Sequence, residues 1–184
     1  MLKIQNLNKA FEKPIFTDFS YDFASPGLYV LRGASGSGKS TLLRIIGGLL
    51  KPDEGQILWE KEPVISYVFQ DARLLPELNL LDNILLVKKE KDKKKALSIL
   101  HKLGLSGDEK KHPSALSGGM KLRGALARSL YYGGDVYLWD EPTKELDGEN
   151  RKIVIDIIKE LAKEHLVIVS THDEDIPYDK EIKL

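Results

Sequence analysis

The sequence predicts an α/β protein, with a mainly parallel sheet and helices packed on both of its faces. Three observations carry that prediction. Short apolar runs of strand length, "LYVLR" from Leu28, "VYLW" from Val136 and "LVIVS" from Leu166, read as strands buried on both sides. Helix-period amphipathic segments stand between them, so strands and helices alternate. A leucine-rich helical stretch from Asp71 to Ala115 breaks the alternation and reads as an inserted subdomain. The chain is thus one domain, residues 1–184, with residues 1–70 and 116–184 as its core and 71–115 as the insert.

In chain order, the first predicted strands are Leu2 to Asn6, Phe19 to Phe23 and "GLYVLRG" from Gly27. A helix follows from about Gly38 to Leu50 and stops ahead of Pro52, which cannot continue it. "GQILW" and "ISYVFQ" read as further strands, the second closing on Gln70. The insert holds "DNILLVKK" and "KKALSILHKLGL". After it come a helix from Gly119 to Tyr131, the strand "DVYLWDE", an amphipathic helix from Gly148 to Lys163 and the strand "LVIVSTH". The one low-complexity patch, Lys88 to Lys95, reads as a solvated helix face or loop; contact with anionic lipid is its other reading.

Composition excludes several classes. A chain of 184 residues buries roughly 70% of its unfolded surface, so no staple is needed. It has no cysteine, which removes disulfides, thiolate metal sites and a cysteine nucleophile. The 28 basic and 28 acidic residues cancel, whereas a nucleic-acid binder would be expected to be strongly basic. The opening "MLKIQNLNKAF" lacks the charged and apolar regions of a secretion signal. No apolar run approaches the roughly 20 residues needed to span a bilayer. A soluble chain is expected, with any membrane role exercised through a partner.

"GASGSGKST", Gly33 to Thr41, satisfies the phosphate-loop pattern G-x-x-x-x-G-K-[ST] through Gly33, Gly38, Lys39 and Ser40. It follows a predicted strand and opens a predicted helix, the context in which backbone N–H groups and the positive helix end converge on phosphates. Ser35, Gly36, Ser37 and Thr41 fall within the same nucleotide-binding loop. Lys39 is expected at the terminal phosphates and the Ser40 hydroxyl at Mg²⁺. The loop alone does not choose among kinases, GTPases and ATPases.

Asp140 and Glu141 end the apolar strand "VYLW", where an open parallel sheet places its ligands. Asp140 is positioned to hold magnesium through water, and Glu141 to polarise an attacking water. His172 follows another apolar strand; alone it would read as structural, but its strand end falls in the same crevice, where it can bond the γ-phosphate and the attacking water. Gln70 would read as an ordinary polar strand end in isolation. Its place at the joint with the insert makes it a candidate ligand for Mg²⁺ that moves with the insert.

The order "GASGSGKST", Gln70, "LSGGM", "VYLWDE", "KELD", "STHD" resembles that of ATP-binding cassette (ABC) ATPases, over nearly the whole chain. The resemblance implies a P-loop NTPase core with an antiparallel β subdomain near the N-terminus. It also implies two copies closing head to tail, with ATP between the phosphate loop of one and the signature of the other. Ser117, Gly118, Gly119 and Met120 are then the signature residues, and their helix N-terminus suits a γ-phosphate. By the same resemblance Asp147 communicates between the two sites, and Phe11 stacks on adenine, with Phe16 as its competitor and core packing as the ordinary role of either. Met120 stands where glutamine is usual and leans toward exporter-type ATPases. Lys144 and Glu145 replace small residues near the expected dimer seam.

The function this implies is the ATP-hydrolysing motor of an ABC transporter, using ATP and Mg²⁺. It would sit peripherally on the cytoplasmic face of the cell membrane, through integral membrane subunits. The alternatives are a soluble ABC ATPase acting on ribosomes or DNA, and a small-molecule kinase, which explains neither the signature nor His172.

Overall fold

The structure is a computed structural model describing all 184 residues. Two sheets form it. The first is antiparallel, in the order β2 (Pro14–Phe23), β1 (Leu2–Ala10), β4 (Glu54–Trp59). The second is wholly parallel, in the order β5 (Ile65–Val68), β6 (Val136–Asp140), β7 (Leu166–Ser170), β3 (Gly27–Arg32), β8 (Lys180–Lys183). The helices are α1 (Lys39–Ile46), α2 (Leu80–Leu85), α3 (Lys93–Lys102), α4 (Gly118–Tyr132) and α5 (Gly148–Ala162).

The parallel sheet separates two apolar clusters, and strand alternation assigns residues to them. Leu28, Val30, Tyr137, Trp139, Val167 and Val169 face the larger cluster, with α4 and α5. Tyr29, Leu31, Val136, Leu138, Leu166 and Ile168 face the smaller one, with α1 and the antiparallel sheet. Residues one apart on a strand point to opposite faces, so a continuous apolar run serves both cores at once.

The insert is helical but has no core of its own. Leu80, Ile84, Ala96, Leu100, Leu103 and Leu105 join the larger cluster through α4. Gly124 permits the approach, since a Cβ there would lie 2.7 Å from Leu80 Cδ1. Asn79 and Asp92 cap α2 and α3 by accepting from the backbone N–H of Asp82 and Lys95, which satisfies donors no helix can satisfy internally.

Several elements differ from the sequence reading. Strand β1 runs on to Ala10 rather than ending at Asn6, and β5 ends at Val68, so Gln70 lies two residues past the strand it was expected to close. Helix α1 ends at Ile46 rather than Leu50: Gly48 adopts φ 69°, and the N–H groups of Leu49 and Leu50 turn back to Arg44 O. Strand β2 begins at Pro14, not Phe19, which leaves Phe11 in the turn between β1 and β2. Strand β8 was not foreseen at all. "KEIK" offers one apolar residue, Ile182, and pairing with β3 rather than apolar periodicity makes it a strand.

Candidate nucleotide site at the carboxyl end of the parallel sheet

The phosphate loop is shaped by what lies beneath it. Gly38 has φ 102°, a left-handed conformation that side chains resist. A Cβ there would also lie 2.5 Å from Ile15 Cγ2 and 2.8 Å from Phe16 Cζ. Phe16 is therefore the buried floor of the loop, whereas Phe11 is 62% exposed, with Lys9 Nζ 5.4 Å from its ring centroid. Lys39 opens α1 almost wholly buried, and its ammonium donates to Gly33 O at 2.8 Å and Ala34 O at 3.0 Å. The Ser37 hydroxyl is buried without a hydrogen-bond partner. It lies against Gly33 and lines neither cleft above the loop, so unlike Gly36 and Gly38 on either side, Ser37 is not placed at the phosphates. A buried ammonium at a helix N-terminus is what fits an anionic phosphate chain.

Two adjoining clefts lie above the loop. One, of about 200 Å³, is lined by Ser35, Gly36, Gly38, Lys39, Ser40, Thr41, Gln70, Glu141 and His172. The other, of about 560 Å³, shares Ser35, Gln70, Glu141 and His172 and adds Thr143, Lys144, Arg151, Thr171, Asp173 and Glu174. Residues far apart in sequence thus meet in one polar space with no hydrophobic lining, as expected of a phosphate-rich ligand rather than an apolar one.

Asp140 is 2% exposed, at the end of β6 and behind the cleft wall. Its Oδ1 accepts the Ser170 hydroxyl at 2.5 Å, and the Glu141 N–H donates to both Ser170 O and Ser170 Oγ at 3.1 Å. Ser170 therefore clasps the two acids to the neighbouring strand, where it stands in register with Asp140. Glu141 leaves the strand at φ 55°, an uncommon conformation for a residue with a side chain. Burial raises its pKa above the ordinary 4.5; the nearby His172 and Lys39 pull it back down, while Asp140 adds to the rise. Such a shift suits a carboxylate that must accept a proton near neutral pH.

His172 Nε2 lies 3.5 Å from Glu141 Oε1. Its side chain is more than half exposed, but its loop is anchored, since Arg151 of α5 pairs with both Asp173 and Asp175, the latter at 3.0 Å. For Mg²⁺ the chain offers hard oxygen donors from Ser40, Gln70 and Asp140, the right chemistry for that ion. No group of three or more acidic or histidine side chains could hold a metal alone, so phosphate oxygens and water would complete its shell.

The structure does not bring the signature to these clefts. Ser117 caps α4 by accepting the Met120 N–H at 3.3 Å. With Gly118, Gly119 and Asp147 it lines a separate cavity of about 250 Å³, together with Arg123, Glu145, Leu146 and Asn150. Met120 instead packs at the edge of the larger apolar cluster. Asp147 caps α5, and hydrogen bonds from the Asn150 N–H and side-chain amide lower its pKa. Phe11 lines neither nucleotide cleft.

Sequence reasoning missed Ser170 and Arg151. Ser170 carried a signal, since a polar residue ending the otherwise apolar run "LVIVS" needs a buried partner. Arg151 carried none, for its partners sit across a loop.

Comparison with known proteins gives the same picture. The family model for ABC transporters matches residues 16–144. The aliphatic sulfonates import ATP-binding protein SsuB 1 of Paracoccus denitrificans is 36% identical, over 94% of this chain and 73% of that protein. The lipoprotein-releasing system ATP-binding protein LolD of Saccharophagus degradans is 41% identical, over 77% of this chain and 72% of its own length. The dimeric post-hydrolysis structure of the ATP-binding cassette MJ0796, bound to ADP and Pi, superposes with a TM-score of 0.92 at 28% identity, covering 100% of this chain and 94% of that one.

Proposed function

Because the chain belongs to the ABC transporter family, we propose that it is an ATP-hydrolysing motor subunit working as a head-to-tail pair of identical chains. The observation that carries the reading is the division of the surface into two polar half-sites. One holds Lys39, Glu141 and His172; the other holds Ser117, Gly118 and Gly119. A second copy turned head to tail supplies the missing half to each.

Within the nucleotide cleft, the loop amides and Lys39 bind the phosphates. The half-buried Glu141 carboxylate takes a proton from the attacking water, so that the water oxygen bonds to the γ-phosphorus as the bond to ADP breaks. His172 orients that water and the γ-phosphate from 3.5 Å beyond Glu141. Mg²⁺ bound with ATP offsets phosphate charge, and Ser40, Gln70 and Asp140 are the residues that would hold it. Phe11, exposed in the turn between β1 and β2, would be the adenine platform, since Phe16 is committed to the core. Asp147 joins the dimer face from the start of α5.

No helix of the chain is long and apolar enough to cross a membrane; as the motor of a transporter it would work with membrane-spanning subunits, at their cytoplasmic face. Docking around Gln70 to Asn83, where core and insert meet, would carry closure to them. Relatives named for import as well as for lipoprotein release resemble the chain, so the lean to export from Met120 gains no support from them. The proposal concerns the motor rather than the direction of transport. A soluble ATPase acting on ribosomes or DNA is not favoured, because formal charge is balanced and the relatives are transport subunits.

Sedimentation of the Glu141→Gln variant tests the reading. We expect a dimer only with ATP and Mg²⁺, and none after adding Ser117→Arg, which still binds ATP as a monomer. A monomer at saturating ATP, or lost monomer affinity in the Ser117→Arg protein, would overturn it.

A further inference from the structure

The cavity at the start of α4 already contains an anion. Gly118 has no side chain, and a Cβ there would collide with Glu145 Oε2; the Glu145 carbonyl oxygen lies 3.0 Å from where a Cβ on Gly119 would stand. The Glu145 carboxylate therefore rests on the first turn of a 15-residue helix whose own first turn has no acidic residue. A negative group there is favoured by the helix dipole and its unpaired N–H groups. Arg123, 8% exposed and with its Nε lacking a partner, lines the same cavity. The other acid in the wall, Asp147, is engaged with Asn150 as the cap of α5.

Glu145 is held there by its backbone. It adopts φ 63°, a left-handed conformation that non-glycine residues keep only where their surroundings impose it. The loop is closed by two backbone bonds, Lys144 N–H to Glu141 O at 3.1 Å and Leu146 N–H to Thr143 O at 3.3 Å. One short loop therefore runs from Glu141, past Lys144 in the nucleotide cleft, to the carboxylate lying on the signature glycines.

We propose that Glu145 is a positioning residue that fills the signature cradle with its own carboxylate and must be displaced before a partner's nucleotide can dock, so that it sets the ATP concentration at which two chains close. The inference rests on the composite-site reading above. Two anions at one helix end repel each other and draw on the same positive end of the dipole, so the closed pair forms only when ATP binding outweighs the resident carboxylate. Since the symmetric pair has two cradles, the effect enters twice.

The test compares Glu141→Gln with Glu141→Gln/Glu145→Gln, following dimer formation by sedimentation while ATP is titrated with Mg²⁺. Glutamine keeps the size of the side chain and removes its charge. From the usual strength of a charge at a helix N-terminus, counted at both cradles, the equilibrium constant for closure should rise about three- to thirtyfold, and because two ATP enter each pair the half-maximal ATP concentration should fall about two- to fivefold. Monomer affinity for ATP should stay unchanged, and the melting temperature of the monomer should fall by no more than about 4 °C, the loss of that same helix-end interaction. The gap should narrow at high salt, as an electrostatic effect must. Dimerisation at the same ATP concentration in both proteins would overturn the role of Glu145 alone. No dimer from either protein, with monomer binding intact, would overturn the composite site and this inference with it.

Discussion

Ser170→Ala removes one oxygen from the centre of the molecule, and the structure sets how much that should cost. The hydroxyl is fully buried and donates to the buried Asp140 carboxylate at 2.5 Å. A hydrogen bond to a charged group contributes about 1.5–3 kcal/mol, and the site is too enclosed for bulk water to replace it. With an m-value of about 2–3 kcal/mol/M in urea, the unfolding midpoint should drop by about 0.5–1.5 M. Ser66→Ala provides the comparison. That hydroxyl is equally buried but pairs with the neutral Ser129 at 2.6 Å, so its loss should cost about 0.5–1.5 kcal/mol. The Ser170 change should also slow ATP hydrolysis at least tenfold, because it releases Asp140 and removes one of the two acceptors of the Glu141 N–H, leaving only Ser170 O, and about 1.4 kcal/mol lost in the transition state is a factor of ten. If Ser170→Ala is no less stable than Ser66→Ala and hydrolyses ATP at the parent rate, the clasp is not what orients the acids.

Glu141→Gln should slow hydrolysis about 10²–10⁴-fold, the range of a lost general base, and should also stabilise the protein near neutral pH. The folded state raises the pKa of Glu141 above 4.5, so the stability it contributes is present below the unfolded value and lost as pH rises through the folded one; urea melts of both proteins at pH 4 and pH 7 should show the advantage of glutamine only at the higher pH. For the same reason, the acid limb of the hydrolysis rate should fall above the ordinary carboxylate range. Phe11→Ala should change stability by less than about 0.5 kcal/mol, as exposed positions do, yet weaken ATP binding by calorimetry about two- to tenfold, the worth of one aromatic stack; Phe16→Ala should lose about 3–5 kcal/mol of stability. Arg151→Ala removes a partly exposed bridge worth about 0–1 kcal/mol, so the melting temperature should move by no more than about 4 °C; turnover should fall more than that implies, because the loop bearing His172 is released.

The parallel core was legible because its strands are continuous apolar runs, and the phosphate loop because its glycines, lysine and serine occupy fixed places before a helix. Asp140, Glu141 and His172 could be placed together from strand ends alone, and they line or back one cleft. What escaped notice depends on pairing between distant segments. Strand β8 exists through its ladder with β3, the end of α1 through the turn at Gly48, and the pairing of Arg151 with Asp173 and Asp175 through a loop crossing α5. The choice between Phe11 and Phe16 had no signature in composition or spacing. The structure commits Phe16 to the core under Gly38 and leaves Phe11 exposed, and Phe11 as the adenine platform stays a proposal.

The strand order has a consequence for how this chain is made. Of the strands of the parallel sheet, β7 is made after β3, β5 and β6, yet it lies between β6 and β3 in the middle of that sheet. The antiparallel sheet can close once residue 59 has emerged, but β3 and β6 then wait with unpaired edges. At roughly 5–20 residues per second, that wait lasts for several seconds while the rest of the chain is made. During it, the apolar edge of each strand is open to other nascent chains. Segment 166–170 is therefore the seal of the molecule. A chain stopped before it would hold the residues of the phosphate loop, but β3, which leads into that loop, would have no partner joining it to β6.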